Sequence, residues 1–387
     1  MHLAAHQTDP VTTPAAPMRS ASFSSPGLLA LEGGMIVRGV LHGSRLPAEG
    51  DLVFTTAATG WAEILTDPSY AGQMVVLTHP MVGNYRIARD ELESSRVHAR
   101  GLVVTRMVDP PPGPGISLDE LLFEGGIPAI SGVDTRALTL RLRGGAARRA
   151  VIVPVGTGDA AAVDRARRSV AWDAVDHVSA VATRDVFVVA PEGERRARAV
   201  FIDYGVKRSL LAALASRGIE VIGLPPDASR ADVAARNADI VVLSPGPGDP
   251  SRMTAQIATV RALAEAAADG GVPILGICLG HQLLALAAGA ETRRLAVGHH
   301  GGNHAVLEAA TGRVDIGAHN HEVEVVDGPS LAKAGYRVSH RDLNDGTIEG
   351  LVHGSGRIAS VQFHPEGAPG PVDAARVFDL ALERALA

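Results

Sequence analysis

This chain has a single cysteine, few aromatic residues and no excess of positive charge. Only 3% of its 387 residues are aromatic while 46% are hydrophobic, so we expect cores built from aliphatic side chains. One cysteine excludes an internal disulfide framework and is typical of a reducing, cytoplasmic setting. The formal net charge of −6 provides no basic surface for nucleic acid. The most apolar stretch, 272–290, is interrupted by Gly276 and Gly280, so no membrane-spanning helix is expected.

The residue pattern changes along the chain, whose length allows two domains. Residues 1–26 are rich in Ala, Pro, Ser and Thr and predict a disordered tail, not a signal peptide. Residues 27–190 alternate short β-like runs with turns and contain two short helices that begin at Ser117 and Asp134. This pattern predicts a mixed α/β, strand-rich domain. The charged segment 191–198 predicts a linker.

The remaining residues, 199–387, alternate strand and helix signals. The strand candidates are almost continuously apolar, which is typical of a parallel sheet covered by helices on both faces. We therefore expect a doubly wound α/β domain, in which ligands bind beyond the carboxyl ends of the strands. The predicted elements are strands at 199–202, 219–222 and 240–243 and helices at 207–217 and 254–268.

The only cysteine, Cys278, follows an apolar run that ends at Gly276, and a helical pattern begins at Gly280. A strand, a tight turn and a helix with glycines on both sides of the turn can present a nucleophile at the top of a sheet. At a helix N-terminus the unpaired N–H groups favour a negatively charged sulfur, so a reactive thiolate is expected. The alternative is a small buried core residue, which is the commoner environment of a free thiol.

A second apolar run, 358–363, leads to His364, and Glu366 follows two residues later. Cysteine, histidine and acid are the residue types that a nucleophile, its base and the group that orients the base require. Pro365 limits how the two side chains can be arranged. Together with the turn at Cys278, this stretch favours a catalytic interpretation over that of an ordinary strand end.

The turn Pro245-Gly246-Pro247-Gly248 leaves a neighbouring strand at the same edge of the expected sheet. Two glycines between prolines form a rigid loop whose N–H groups can approach a ligand closely. A phosphate-binding loop is the alternative, but no Gly-Lys-Ser/Thr sequence follows. An ordinary turn is the third possibility.

Five histidines between residues 299 and 321 suggest a zinc site. Such sites usually add cysteine or carboxylate ligands and an ordered outer shell, which the sequence does not reveal. We therefore expect no metal ion here. The histidines are His299, His300, His304, His319 and His321.

The stretches 276–282 and 362–366 resemble the signature of class I (triad) glutamine amidotransferases. From about Leu28 to the C-terminus, the chain resembles the small, glutamine-hydrolysing subunit of carbamoyl-phosphate synthase. The segments that carry this second resemblance are 63–73, 83–85, 133–139 and 298–304. The first three lie outside the amidotransferase part, and other amidotransferases do not resemble them.

The resemblance implies roles for individual residues. Cys278 would be the nucleophile, His364 its base and Glu366 the group that holds the imidazole, with the N–H groups of Gly246 and Leu279 as oxyanion donors. The implied glutamine-binding positions are Ala57, Gly246, Gly248, Leu279, Gln282, Asn320, Glu322 and Val323.

The resemblance also implies a partner, because nothing in this chain looks able to consume the ammonia that glutamine hydrolysis releases. The partner would be the large synthase subunit, on which ATP and Mg²⁺ are expected, and residues 27–190 would dock on it. Carbamoyl phosphate for arginine and pyrimidine synthesis would be the product of this cytoplasmic heterodimer. No cofactor is expected in this chain.

Four residues, at three places in the chain, depart from the family pattern. Glu322-Val323 replaces Gly-Phe, Ala57 replaces a serine that often contacts glutamine, and Pro245 replaces a common asparagine. An acidic side chain at position 322 would repel or crowd the substrate's carboxylate, or else point to solvent. Two alternatives therefore stay open: a catalytically impaired or specialised paralogue that supports the large subunit, and an amidotransferase of another pathway.

Overall fold

The computed structural model describes residues 25–145 and 147–387. The predicted disordered tail falls outside the described residues except at Ser25 and Pro26. These two residues begin the first strand, so the predicted end of the tail was wrong by two positions. No helix in the described part of the chain is long and apolar enough to cross a membrane.

The first part of the chain forms a closed barrel, in which seven strands of the described residues take part. They are β1 (Ser25–Leu31), β2 (Ile36–Gly43), β3 (Ala48–Thr55), β4 (Gln73–Leu77), β5 (Gly101–Val103), β6 (Pro128–Ser131) and β7 (Arg149–Pro154). The helices are α1 (Trp61–Thr66), α2 (Leu118–Glu124), α3 (Thr135–Arg143), α4 (Asp159–Arg168) and α5 (Val178–Val181). Around the barrel the strands follow the order β1-β2-β6-β5-β4-β3-β7.

The barrel is packed on both of its surfaces, as strand β4 illustrates. Met74 and Val76 belong to one buried cluster, whereas Val75 and Leu77 belong to another that includes residues of α1 and α2. Successive side chains of a strand point to opposite faces, so an almost continuously apolar strand is needed where both faces are covered. The predicted strand-rich α/β character is thus confirmed. The closing of the strands into a barrel was not predictable from the residue pattern.

The rest of the chain forms a ten-stranded sheet. Its strands are β8 (Phe187–Val189), β9 (Ala197–Ile202), β10 (Ile219–Leu224), β11 (Ile240–Leu243), β12 (Ile274–Ile277), β13 (Thr292–Glu308), β14 (Val314–Val325), β15 (Tyr336–Asp342), β16 (Ile348–His353) and β17 (Ile358–Val361). The helices are α6 (Arg208–Ala215), α7 (Arg230–Ala234), α8 (Thr254–Ala268), α9 (Leu279–Ala287), α10 (Pro329–Lys333) and α11 (Arg376–Leu386). Five 3₁₀ turns complete the described elements, at Pro68–Tyr70, Arg89–Glu91, Val155–Thr157, Trp172–Ala174 and Pro250–Arg252.

The five central strands of this sheet, β10-β9-β11-β12-β17, are parallel, which confirms the predicted doubly wound core. Alternate residues of β9 enter clusters on opposite faces: Val200 and Ile202 pack with residues of α8 and α9, and Ala199 and Phe201 with residues of α6 and α11. The sheet edges are antiparallel, with β16-β15-β13-β14 on one side and β8 on the other. Strand β8 lies before the predicted linker, so the sheet includes residues that the sequence assigned to the first domain.

Predicted helix bounds agree where a local stop signal is clear. Helix α8 coincides with the predicted 254–268, and Ser117 caps α2 by accepting a hydrogen bond from the Glu120 N–H. The predicted helix over 207–217 was too long, because α6 spans only Arg208–Ala215. The predicted stop at Gly218 is present, since this glycine has a φ of 78°. A left-handed glycine terminates helices because its backbone cannot continue the right-handed spiral.

Candidate active site

Cys278 lies in the tight turn between β12 and α9, at the carboxyl edge of the parallel strands. Its backbone has φ 51° and ψ −103°, a conformation that residues with a side chain rarely adopt. Such strain persists only where the surrounding structure holds it, and it concentrates at functional sites. Here the Cys278 N–H donates a hydrogen bond to the Val361 carbonyl oxygen at 2.8 Å. The turn is therefore tied to β17 while it presents the sulfur at the top of the sheet.

The glycines beside this turn are required by close backbone contacts. A Cβ on Gly280 would lie 2.3 Å from the carbonyl oxygen of Leu243, and a Cβ on Gly276 would lie 2.8 Å from the carbonyl oxygen of Gly280. Neither glycine has a positive φ. Glycine is therefore required at both positions because a side chain has no space there, and not because the backbone conformation demands it. The predicted strand–turn–helix geometry is present, and its glycines allow β11, β12 and α9 to pack closely.

His364 follows β17, and both its backbone and its ring form hydrogen bonds. Its N–H donates to the Ala318 carbonyl oxygen at 2.8 Å, and its Nδ1 lies 2.7 Å from Oε1 of Glu366. Because a carboxylate only accepts, Nδ1 carries the proton of this bond. Both side chains are almost fully buried, at 2% and 1% exposure. The second ring nitrogen, Nε2, is left for a contact with the thiol.

The imidazole of His364 interacts with both Glu366 and Cys278. Burial alone would lower the pKa of His364, but the Glu366 charge and the interaction with Cys278 outweigh it and raise the pKa to about 10. Within the described residues, Nε2 makes no hydrogen bond of normal geometry, and the thiol donates to the Asn320 carbonyl oxygen at 3.9 Å. The thiol and imidazole are thus electrostatic neighbours.

Lys207 is a buried partner of Glu366. Its Nζ lies 3.1 Å from the same Oε1 that accepts from His364, and the Lys207 side chain is only 2% exposed. Burial would lower the pKa of Lys207, but Glu366, Asp67 and Glu93 raise it. Burial would likewise raise the pKa of Glu366, but Lys207 and His364 hold it well below its usual range. The carboxylate is therefore charged at neutral pH although it is buried.

Gly246, in the loop after β11, lines the same cavity as Cys278, and Leu279 follows Cys278 at the start of α9. The backbone N–H groups of Gly246 and Leu279 donate to no backbone acceptor among the described residues. Gly246 is confined, since a Cβ there would lie 2.4 Å from the carbonyl oxygen of Tyr204. Unpaired donors beside a nucleophile are the arrangement that stabilises an oxyanion.

One cavity brings most of the predicted binding residues together. Cys278 lines it with six of them: Gly246, Gly248, Gln282, Asn320, Glu322 and Val323. Ala57 and His364 line a neighbouring cavity instead, and Asn320 borders both. Leu279 contributes its backbone, while its side chain is buried beneath Gly246.

The amide side chains of this cavity are already engaged. The Gln282 Nε2 donates to the Val323 carbonyl oxygen at 2.8 Å and to Oε1 of Gln362 at 3.0 Å. The Asn320 Nδ2 donates to Asp67 at 3.2 Å. These bonds hold both residues in fixed orientations at the cavity wall. Fixed polar groups are what a small-ligand site needs for specificity.

Glu322 does not point to solvent, which excludes one of the alternatives left open by the sequence. Its side chain is 1% exposed and forms ion pairs with Arg148 and, at 3.4 Å, with Arg294, and it accepts from His300 Nε2 at 2.9 Å. Burial would raise the pKa of Glu322, but His300, Arg148 and Arg294 lower it. The carboxylate is therefore ionised and compensated by cations from both parts of the chain. Its charge is not free to repel an anionic substrate.

Lys207, Arg148 and Arg294 lie around the site although the sequence-based prediction assigns none of them a role there. A signal existed for Lys207, which follows β9 at the same carboxyl edge as Cys278. No local signal marks the arginines, since Arg148 precedes barrel strand β7 and meets Glu322 only through long-range packing.

Two family models match the chain. Residues 200–383 match "Glutamine amidotransferase class-I" and residues 29–152 match "Carbamoyl-phosphate synthase small chain, CPSase domain". The second part of the chain is therefore a class I glutamine amidotransferase domain.

Curated relatives extend this result over nearly the whole chain. Carbamoyl phosphate synthase small chains from Methanopyrus kandleri and Bacillus caldolyticus are 44% and 42% identical, covering 91% and 92% of this chain and 96% of each relative. A pyrimidine-specific small chain from Halalkalibacterium halodurans is 41% identical and covers 91% of this chain and 94% of its own. The chain belongs to the carbamoyl-phosphate synthase small-chain family, the glutamine amidotransferase component of that synthase. This membership argues against the alternative of an amidotransferase from another pathway.

Two similar solved structures each cover half of the chain. A glutamine amidotransferase from Thermotoga maritima is 17% identical with a TM-score of 0.36, covering 50% of this chain and 97% of its own. PurLQS from the same organism is 18% identical with a TM-score of 0.37, covering 50% and 99%.

Proposed function

We propose that this chain hydrolyses glutamine through a thioester on Cys278 and delivers the ammonia to a large synthase subunit. The observation that carries the proposal is the buried series Cys278–His364–Glu366–Lys207 at the carboxyl edge of the sheet. A strained cysteine with an imidazole beside it, and a charged carboxylate behind that imidazole, is the arrangement of nucleophilic catalysis.

The first half of the reaction breaks the amide bond. Because the pKa of His364 is raised to about 10, the ring takes up the proton of the Cys278 thiol, and the sulfur attacks the side-chain carbonyl carbon as a thiolate. The resulting oxyanion accepts hydrogen bonds from the Gly246 and Leu279 N–H groups. His364 gives its proton to the amide nitrogen, the C–N bond breaks, and ammonia leaves a γ-glutamyl thioester.

The second half restores the enzyme. The neutral imidazole of His364 removes a proton from water, and the resulting hydroxide attacks the thioester carbonyl. The C–S bond then breaks, glutamate leaves, and the thiolate–imidazolium pair forms again. Glu366 keeps the ring oriented in both halves, and Lys207 keeps Glu366 charged.

The substrate lies in the cavity lined by Cys278, Gln282 and Asn320. Compensation of Glu322 by Arg148, Arg294 and His300 supports an active site and not an impaired paralogue. Ala57 lines the neighbouring cavity that His364 also lines, and not the cavity that contains Cys278.

Family membership supports the proposed partner and pathway. The barrel part, within residues 27–190, docks on the large subunit, which binds ATP and Mg²⁺ and converts bicarbonate and the delivered ammonia to carbamoyl phosphate. That product serves arginine and pyrimidine synthesis in the cytoplasm. The match of residues 29–152 to a domain specific to these small chains supports this docking role.

Replacement of Cys278 by Ser or Ala tests the proposal. We expect glutamate release and glutamine-dependent carbamoyl phosphate synthesis to be lost, while the complex with the large subunit still uses added ammonia. The wild-type complex and a variant at a half-buried histidine outside the site, His353→Gln, are the controls. Glutaminase activity that survives in Cys278→Ala would refute the assignment. Loss of ammonia-dependent synthesis in a complex that still assembles would contradict the division of labour between the subunits.

A further inference from the structure

Four buried side chains converge beside the cavity that Cys278 and His321 line. They are His299 on β13, His319 and His321 on β14, and Glu349 on β16, and one potential ligand atom of each lies within 4.8 Å of all the others. From the sequence, the histidines are candidate ligands without Glu349, and no metal is expected. Glu349 joins the histidines only in the folded chain, where β16 brings its side chain to the same space.

The register of the strands explains this convergence. His319 and His321 are two residues apart on β14 and so point to the same face. His299 is the direct cross-strand neighbour of His321 in the β13–β14 pairing. Glu349 reaches the same space from β16, where it is 0% exposed.

The separations of the donor atoms match those of a tetrahedral metal shell. Bonds of about 2.0–2.2 Å to zinc place neighbouring ligand atoms about 3.3–3.6 Å apart. The His319 Nδ1 lies 3.2 Å from the His321 Nε2 and 3.6 Å from the Glu349 Oε2. The Glu349 Oε1 lies 3.7 Å from the His299 Nδ1 and 3.8 Å from the His321 Nε2.

The outer contacts aim two rings at this space. The His299 Nε2 donates to Asp345 Oδ2 at 2.9 Å, and the His321 Nδ1 donates to the Val323 carbonyl oxygen at 3.0 Å. With each ring neutral, as a metal ligand must be, the opposite nitrogen presents a lone pair to the cluster. Carboxylate and carbonyl partners of this kind orient histidine ligands in metal sites.

Two atoms at the centre of the cluster lack partners. The His299 Nδ1 and the Glu349 Oε2 are buried and make no hydrogen bond among the described residues. A proton shared between His319 and His321 would explain their contact but would leave these two atoms unsatisfied. Burial of unpaired polar atoms is costly, so a ligand that contacts both is favoured. A cation satisfies a carboxylate oxygen and three lone pairs at once.

We propose that His299, His319, His321 and Glu349 bind one zinc ion. Three imidazoles and a carboxylate suit zinc, and four protein ligands close the shell, so the site is structural. The ion links β13, β14 and β16. It thereby fixes the part of β14 that contains Asn320, whose carbonyl oxygen accepts from the Cys278 thiol.

A second group, formed by His299, His304 and Asp342, shares one histidine with this site. The His304 Nδ1 and the Asp342 Oδ2 already form a hydrogen bond of 2.8 Å with each other. That pair is satisfied without a metal, so the ion is assigned to the first four residues.

Zinc content and cobalt spectroscopy test the proposal independently of glutamine hydrolysis. The full-length chain is prepared without a histidine tag and with Cys278→Ser, so that the reactive thiol cannot bind the metal. We expect about one zinc per chain after loading and dialysis, and tetrahedral d–d bands when cobalt replaces zinc. His319→Gln should lose the metal, and Asp345→Asn, which removes only an outer contact, should weaken binding about 10- to 100-fold. His353→Gln, outside the cluster, should bind as the parent does.

The metal site is refuted if the loaded parent holds no zinc above that of the buffer, or if His319→Gln retains the zinc of the parent. Octahedral instead of tetrahedral cobalt spectra would also overturn the four-ligand assignment. Should His319→Gln fail to fold, the parent's spectrum and the Asp345→Asn affinity still decide the outcome. Failure of glutamine hydrolysis would leave each of these results unchanged.

Discussion

Lys207→Met removes the buried cation next to Glu366 and should destabilise the protein strongly. The Lys207 Nζ and the Glu366 Oε1 are 3.1 Å apart, with side-chain exposures of 2% and 1%. Without the lysine, Glu366 is left buried near Asp67 and Glu93, which also act on Lys207. Breaking a buried pair by removing one partner typically costs about 3–5 kcal/mol of unfolding free energy. For a domain of this size, that corresponds to a decrease in Tm of about 10 °C.

The pH dependence of this loss has a defined sign. The pKa of Glu366 in the folded protein is depressed, so its stabilising effect is present above its unfolded pKa and lost as pH falls through the folded value. The pKa of Lys207 is raised, so its effect is present below its unfolded pKa and lost as pH rises through the folded value. In Lys207→Met, Glu366 takes up a proton more easily. The difference in Tm from wild type should therefore be largest near neutral pH and decrease toward pH ~4.

Calorimetry of four variants measures the effect. Lys333→Met is a matched control because the chain has only two lysines and Lys333 is exposed at the end of α10. The double variant Lys207→Met/Glu366→Gln removes both charges and should regain much of the stability that Lys207→Met loses, so the two substitutions should be non-additive by at least about 1 kcal/mol. A Tm equal to that of Lys333→Met, or additive effects of Lys207→Met and Glu366→Gln, would refute the buried-pair argument.

Two further substitutions test other parts of the site. Gly246→Ala should lower kcat for glutamine hydrolysis about 100- to 1,000-fold. The added Cβ would lie 2.4 Å from the Tyr204 carbonyl oxygen, so the loop must shift and displace an oxyanion donor. Gly156→Ala, where a Cβ meets open space, is the control, and equal kcat values for the two variants would contradict this role. Glu322→Gln should lower Tm at pH 7 because it leaves Arg148 uncompensated, and the loss should disappear as pH falls through the depressed folded pKa of Glu322. A Tm difference that stays constant as pH falls below the usual range of a carboxyl group would contradict this explanation.

Local chemistry made several elements predictable. The cap at Ser117 and the apolar periodicity of 254–268 set two helices by contacts between residues close in sequence. The turn at Cys278 was predictable because Gly276 and Gly280 stand where a strand pattern changes to a helix pattern. The interpretation of Cys278 as a nucleophile needed a second motif, and the structure places His364 beside it across about 85 residues of chain.

The sequence by itself determined the parallel core, the turn that exposes the sulfur and the residue types of the site, because strand periodicity, capping and glycine requirements act over a few positions. Only the tertiary structure decided the barrel closure, the burial of Lys207 behind Glu366, the compensation of Glu322 by Arg148, and the meeting of Glu349 with three histidines. Each of these depends on how distant strands pair and pack. A buried charge needs its partner from wherever the fold supplies it, and the local pattern of residues does not show which partner that will be.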